Sequence, residues 1–172
     1  MSYVLVPLRI LGFLGLLLWA GLVQGVPCQN DFPPSNPDSV YVGHGNGTVT
    51  DTRTGLMWKQ CAEGHSGEGC QNGSLLRLTW ADAIAQAETT SFAGYADWRL
   101  PNVKELASLV EECRVSPTVN TNLFPNTSGT FWSSSPNVVS ASRAWYVRFL
   151  DGAVRPDLRG TTYHVRLVRG GQ

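Results

Sequence analysis

The spacing of apolar residues turns from helical to alternating at Cys113, and that change limits the fold more than any other feature. Two helical segments precede it. Thr79 stands before WADAIAQAET with Asp82 three residues on, a shortened capping box that predicts a helix from Trp80 to about Glu88. Trp80, Ala83, Ile84 and Ala87 then fall at i, i+3, i+4 and i+7, a stripe for the core. In NVKELASLVEEC, Asn102 is the N-cap, Glu105 closes the box, and Val103, Leu106, Leu109 and Val110 form the buried stripe. Beyond Cys113 the pattern alternates. TFWSSSP reads as a short strand. RAWYVRFLDGAV places Trp145, Val147 and Phe149 on one face and Tyr146 and Arg148 on the other, with Asp151-Gly152 as a two-residue hairpin turn. TTYHVRLVR puts Tyr163, Val165 and Leu167 on one face. An earlier hairpin joins Thr48, Val49 and Thr50 to Leu56, Met57 and Trp58 through DTRTG. Helices and strands so segregated predict an α+β fold, two helices packed on a twisted antiparallel sheet.

Residues 1–25 belong outside this fold. Arg9 is followed by an uncharged apolar run, residues 10–23, and Val23-Gln24-Gly25 resembles a signal-peptidase site with cleavage before Val26. Left uncleaved, the run is long enough for a marginal membrane anchor. Either route predicts a secreted, periplasmic or cell-surface protein. Residues 26–46, rich in proline and without an apolar period, form an extended arm, and 47–170 form one domain. The four cysteines suit an oxidising compartment, and no CxxC spacing suggests zinc or redox work. Of three connectivities, the expected one pairs Cys61 with Cys70 across the loop AEGHSGEG, and Cys28 with Cys113. It would stabilise the disulfide-bonded domain by a little under ~3 and ~4.5 kcal/mol, respectively.

Thirteen basic against thirteen acidic residues argue against general nucleic-acid binding. The balance conceals an asymmetry: from residue 141 on, arginines 143, 148, 155, 159, 166 and 169 face only Asp151 and Asp157. Arginine grips sulfate, carboxylate and phosphate with two parallel hydrogen bonds, so the cluster reads either as an anion-binding face or as solvated strand positions with one or two internal ion pairs. Enzymatic motifs fail in turn. GHSGEG has Glu68 where a nucleophile elbow needs glycine. His44, His65 and His164 show no metal spacing. The acids Asp97, Glu105, Glu111, Glu112 and Asp151 form no paired motif. Asp31, Asp38 and Asp51 offer oxygens of the kind structural calcium uses, without EF-hand spacing, and no cofactor is expected. The sequons at Asn46, Asn72 and Asn126 are accounted for by turn chemistry. Five tryptophans belong to the domain. Trp80 and Trp145 sit on predicted core faces, Trp58 and Trp132 in strands, which leaves Tyr146 and Tyr163 as the aromatic groups to meet a sugar ring.

The ordered motifs TGLMWKQC, LTWADAIAQA, GYADWRLPNVKEL, VNTNLFPN, FWSSSP, AWYVRFLDG and YHVRLVR resemble the Lcl C-terminal domain family, a bacterial domain of largely unknown function named for a collagen-like adhesin. The family is similar to the C-type-lectin-like superfamily and distantly to the formylglycine-generating sulfatase modifiers. The resemblance implies that Trp98, Arg99, Pro101, Asn102, Glu105 and Trp132 are a structural signature, with Trp98 buried and Arg99 paired internally; the cap chemistry adds that Leu100 packs back on Leu106 as a staple. It also implies a non-catalytic, adhesin-like module for anionic or sulfated polysaccharide, with Arg148, Arg155, Arg159 and Arg166 lining one face beside Tyr146 and Tyr163. No cysteine follows Cys113 to form the reactive pair of the sulfatase modifiers, and no E-P-N, Q-P-D or W-N-D triplet marks a calcium-dependent sugar site. The alternatives are a structural cell-envelope domain that binds protein, or a degenerate enzyme of the formylglycine-generating kind.

Overall fold

In the computed structural model of the protein, which describes residues 28–29 and 31–170, the β-formers around DTRTG make the expected hairpin. Strand β2 (Thr48–Asp51) pairs with β3 (Met57–Lys59), with Val49 opposite Trp58. Strand β1 (Tyr41–Gly43) adds on the outer side and β9 (Val168–Arg169) on the other, giving the order β1-β2-β3-β9. Between β3 and the helices lies a two-stranded ribbon, β4 (His65–Ser66) with β5 (Asn72–Gly73), closed by the Cys61–Cys70 disulfide. A second, three-stranded antiparallel sheet contains β6 (Thr130–Pro136), β7 (Arg143–Arg148) and β8 (Ala153–Leu158) in sequence order.

Helix α1 (Trp80–Thr89) starts at the Thr79 cap, whose hydroxyl accepts the Asp82 N–H, and buries Ala83 and Ala87. Helix α2 (Val103–Ala107) carries the full capping box: Asn102 accepts from the Lys104 and Glu105 amides, and Glu105 accepts from the Asn102 amide. It is one turn shorter than its apolar stripe suggests. Leu109 nevertheless points into the core from the turn that follows, and Val110 bridges to Val119. The hydrophobic stripe is intact while the helix is not, because burial of Leu106 and Leu109 does not require an α-helical hydrogen bond at each residue.

Two apolar clusters hold the domain. One joins Trp58, Val49, Leu106, Leu109, Phe124, Phe131, Val147 and Phe149. The other joins Trp98, Leu100, Trp132, Ala144, Val165 and Leu167 with α1. Leu100 and Leu106, expected to staple together, thus belong to different clusters. The three-stranded sheet carries Phe131 and Val147 on the first side and Trp132, Ala144 and Tyr146 on the second. The segment 163–169 runs between the sheets. His164 bridges in parallel to Phe131, Tyr163 to Leu78, and Val168 to Arg99 before β9 pairs with β3. The turn between β7 and β8 holds four residues rather than two, since Arg148 pairs with Ala153. Gly152 closes it with φ of +73°, its N–H donating to the Arg148 carbonyl at 2.9 Å.

The arm is strapped down. Cys28 is disulfide-bonded to Cys113, and the buried Glu111 carboxylate accepts from the Ser35 amide (2.7 Å) and hydroxyl (2.8 Å), the Asn36 amide (2.8 Å) and the Cys113 amide (3.3 Å). Both expected disulfides are present. The expected signal segment, residues 1–25, lies outside the described residues. Among those described, no helix is long and apolar enough to cross a membrane.

Candidate ligand-binding face

Trp132, Tyr146 and Arg155 stand directly opposite one another across β6, β7 and β8, and therefore share one face. Trp132 is fully buried, its indole N–H donating to the Leu78 carbonyl at 3.0 Å. Tyr163 reaches the same spot because it bridges Leu78. Its ring lies 4.7 Å from that of Trp132 and 5.1 Å from that of Tyr146. A buried indole thus supports two half-exposed phenol rings.

Polar groups surround the pair. The Tyr163 hydroxyl donates to Asp157 Oδ2 at 2.6 Å. Burial first, then the hydrogen bond to Asp157 and after it the Asp157 charge, push the phenol well above its ordinary pKa, so it stays protonated across the physiological range. The same hydroxyl holds the Asp157 carboxyl below its ordinary value. Arg155 is exposed, and no carboxylate of the described residues pairs with it. Arg77, also exposed, donates from Nη2 to the Thr162 carbonyl at 2.9 Å and lies close enough to act electrostatically on Tyr163. Arg148 is committed to Asp151, donating from Nε to Oδ1 at 2.8 Å and from Nη2 to Oδ2. That contact brings the Asp151 carboxyl down to about 2.

The structure corrects the expected row of four arginines. Arg166 is completely buried between the sheets. Its Nη1 donates to the Lys59 carbonyl (2.8 Å) and the Gln60 carbonyl, its Nη2 to Thr127 Oγ1 at 2.5 Å, and Phe124 packs 5.0 Å from the guanidinium. It ties β3 to the rest of the domain and cannot meet a ligand. Arg159 lies 4.2 Å over the ring of Trp80 and donates to the Arg143 carbonyl. Of the expected set, Arg155 and Arg148 remain beside Tyr146 and Tyr163. Arg77 and Asp157 complete the face and were missed. Asp157 belonged to the same hairpin as Arg148 and could have been placed by register. Arg77 is brought in only by the Leu78–Tyr163 bridge, for which the sequence carries no local signal. Trp80 and Trp145, expected in the core, are only half-buried: Trp80 spends its N–H on the Ser133 carbonyl at 2.8 Å, and Trp145 stands opposite Pro156 on the central strand of the sheet.

The match with known families bears on residues 47–169, which fit the family model of the Lcl C-terminal domain. The chain belongs to that family. No curated protein matches it. Within this Lcl C-terminal domain the signature stretch is a brace. Trp98 is buried and donates to the Phe92 carbonyl at 3.1 Å. Arg99 makes a two-pronged pair with Glu105, at 2.7 and 2.8 Å, but on the surface rather than inside, its side chain 44% exposed. Pro101 is buried, and its carbonyl accepts the Ser134 amide at 2.7 Å, tying the entry of α2 to β6. The ligating atoms of Cys28, Glu111 and Cys113 lie within 4.8 Å of one another. Both sulfurs are spent in a disulfide and both carboxylate oxygens already accept from N–H or O–H donors, so this group is not a metal site.

Proposed function

We propose that this chain is an exported, non-catalytic binding module of C-type-lectin-like architecture, and that it takes an anionic or sulfated polysaccharide on the Tyr146–Tyr163 face. One observation carries the reading: two half-exposed phenol rings are held side by side and flanked by the cations of Arg77 and Arg155, with the Arg148–Asp151 pair beside them. Aromatic rings stack on the apolar faces of pyranose rings, and guanidinium groups pair with sulfate or uronate oxygens. Asp157 adds a carboxylate able to accept sugar hydroxyls. Retention on immobilised heparin, with elution advanced by salt, tests the proposal. Arg155→Ala combined with Arg77→Ala should bring elution to lower salt, and Tyr146→Ala should weaken binding without changing its salt dependence. A chain that is not retained, or whose variants elute with the parent, removes the proposal; a glycan array with and without chelator then defines the sugar and any need for calcium.

A further inference from the structure

The loop between β6 and β7 is of a different character. It reads NVVSAS, and Val138 and Val139 at its tip are 96% and 92% exposed, more than any other large apolar side chain described. The loop is not loose. Asn137 Oδ1 accepts the amides of Val139 (2.8 Å) and Ser140 (3.1 Å), the Asn137 amide donates to the Arg143 carbonyl (3.0 Å), and the Arg143 amide donates to the Ser140 carbonyl (2.9 Å). The tip is therefore held in one shape from within, with the Val138 amide and the carbonyls of Val138 and Val139 left to water. At its neck stand exposed Arg143 and the guanidinium of Arg159, which donates to the Arg143 carbonyl. The loop itself has no acidic residue, and the nearest carboxylate across the ladder, Asp157 opposite Ala144, is engaged by Tyr163.

An apolar tip above a cationic collar is complementary to a bilayer with anionic headgroups. The valines reach the acyl boundary while the arginines stay at phosphate depth. A sulfated glycan would use the arginines but gain nothing from two valines. We infer that the Val138–Val139 hairpin tip is a lipid-docking element, by which the domain rests on an anionic membrane surface, independent of the tyrosine face.

Hydrogen exchange of the 137–142 peptide in the full-length protein tests this, with vesicles of phosphatidylcholine alone or mixed with phosphatidylglycerol. A site-specific reading is needed because the apolar residues 10–23 could hold the chain on vesicles by themselves. The loop should be protected by mixed vesicles at low salt and not by neutral ones. Val138→Ser with Val139→Ser, at solvent-exposed positions that leave the core untouched, should raise the lipid needed for half-protection about tenfold. Arg143→Ser should raise it about fivefold. An unprotected loop, equal protection by neutral vesicles, or an unaltered double-valine variant overturns the inference. So does protection by heparin that the valine variant retains, which would assign the loop to polysaccharide.

Discussion

Segment 163–169 and the β7–β8 ribbon present the same alternation of apolar and polar residues, with an arginine on the polar side of each, yet only one of them faces water. In the ribbon, Arg155 is exposed and Arg148 is met by a neighbouring carboxylate at the surface. In the closing segment, Val165 and Leu167 fill one cluster while Arg166, on the opposite side, is sealed against backbone carbonyls. Alternation tells which residues share a face but not whether a second layer covers the other side.

The largest test of this contrast is Arg166→Ala. It would leave the Lys59 and Gln60 carbonyls and the Thr127 hydroxyl short of a donor in a dry interior, at a cost of about 3–5 kcal/mol in chemical denaturation. A loss under 1 kcal/mol would mean that this site is wet. Next comes the buried carboxylate Glu111. Burial alone would raise its pKa, but the donors from Ser35, Asn36 and Cys113 outweigh that and hold it below its ordinary value of 4.5. Because the folded pKa is the lower one, the stabilisation is complete above about 4.5 and disappears as pH falls through the folded value. Glu111→Gln should cost about 2–3 kcal/mol at neutral pH and flatten the acid limb of the stability profile.

Smaller effects belong to the ribbon. Tyr163→Phe removes the hydroxyl on Asp157 and should cost about 1 kcal/mol, with a weaker loss of stability on acidification because the Asp157 pKa returns toward its ordinary value. Arg155→Ala should change stability by less than about 0.5 kcal/mol. Asp151→Asn should leave the denaturation midpoint where it is, despite the strongly lowered pKa of Asp151, because that pair sits in solvent. If Arg155→Ala destabilised the chain as much as Arg166→Ala does, the distinction between the two regions would fall.

Most of the local architecture was legible. Caps at Thr79 and Asn102, the Val49–Trp58 hairpin and the disulfide partners follow from short-range chemistry and chain proximity. The candidate face was half legible. Tyr146, Arg148 and Arg155 share a hairpin, and register alone groups them. Arg166 was misplaced because its cover comes from β3 and from Thr127, far away in the chain. Arg77 was overlooked for the complementary reason: an exposed residue with no periodic neighbours gains its place through a single isolated bridge next to it.

The Cys28–Cys113 bond also has a mechanical meaning. It joins residues 85 apart in sequence, one of them at the start of the described chain. Tension arriving from the residues ahead of Cys28 passes through sulfur directly into Cys113 and bypasses the arm, β1 to β5 and both helices. Held at its two ends, the oxidised domain can pay out only the chain beyond Cys113, about 3.5 Å for each residue released. The tyrosine face and the valine tip both lie in or against that extensible portion, so load would reach the proposed contacts while the first sheet's β1–β3 hairpins stay locked within a covalent loop.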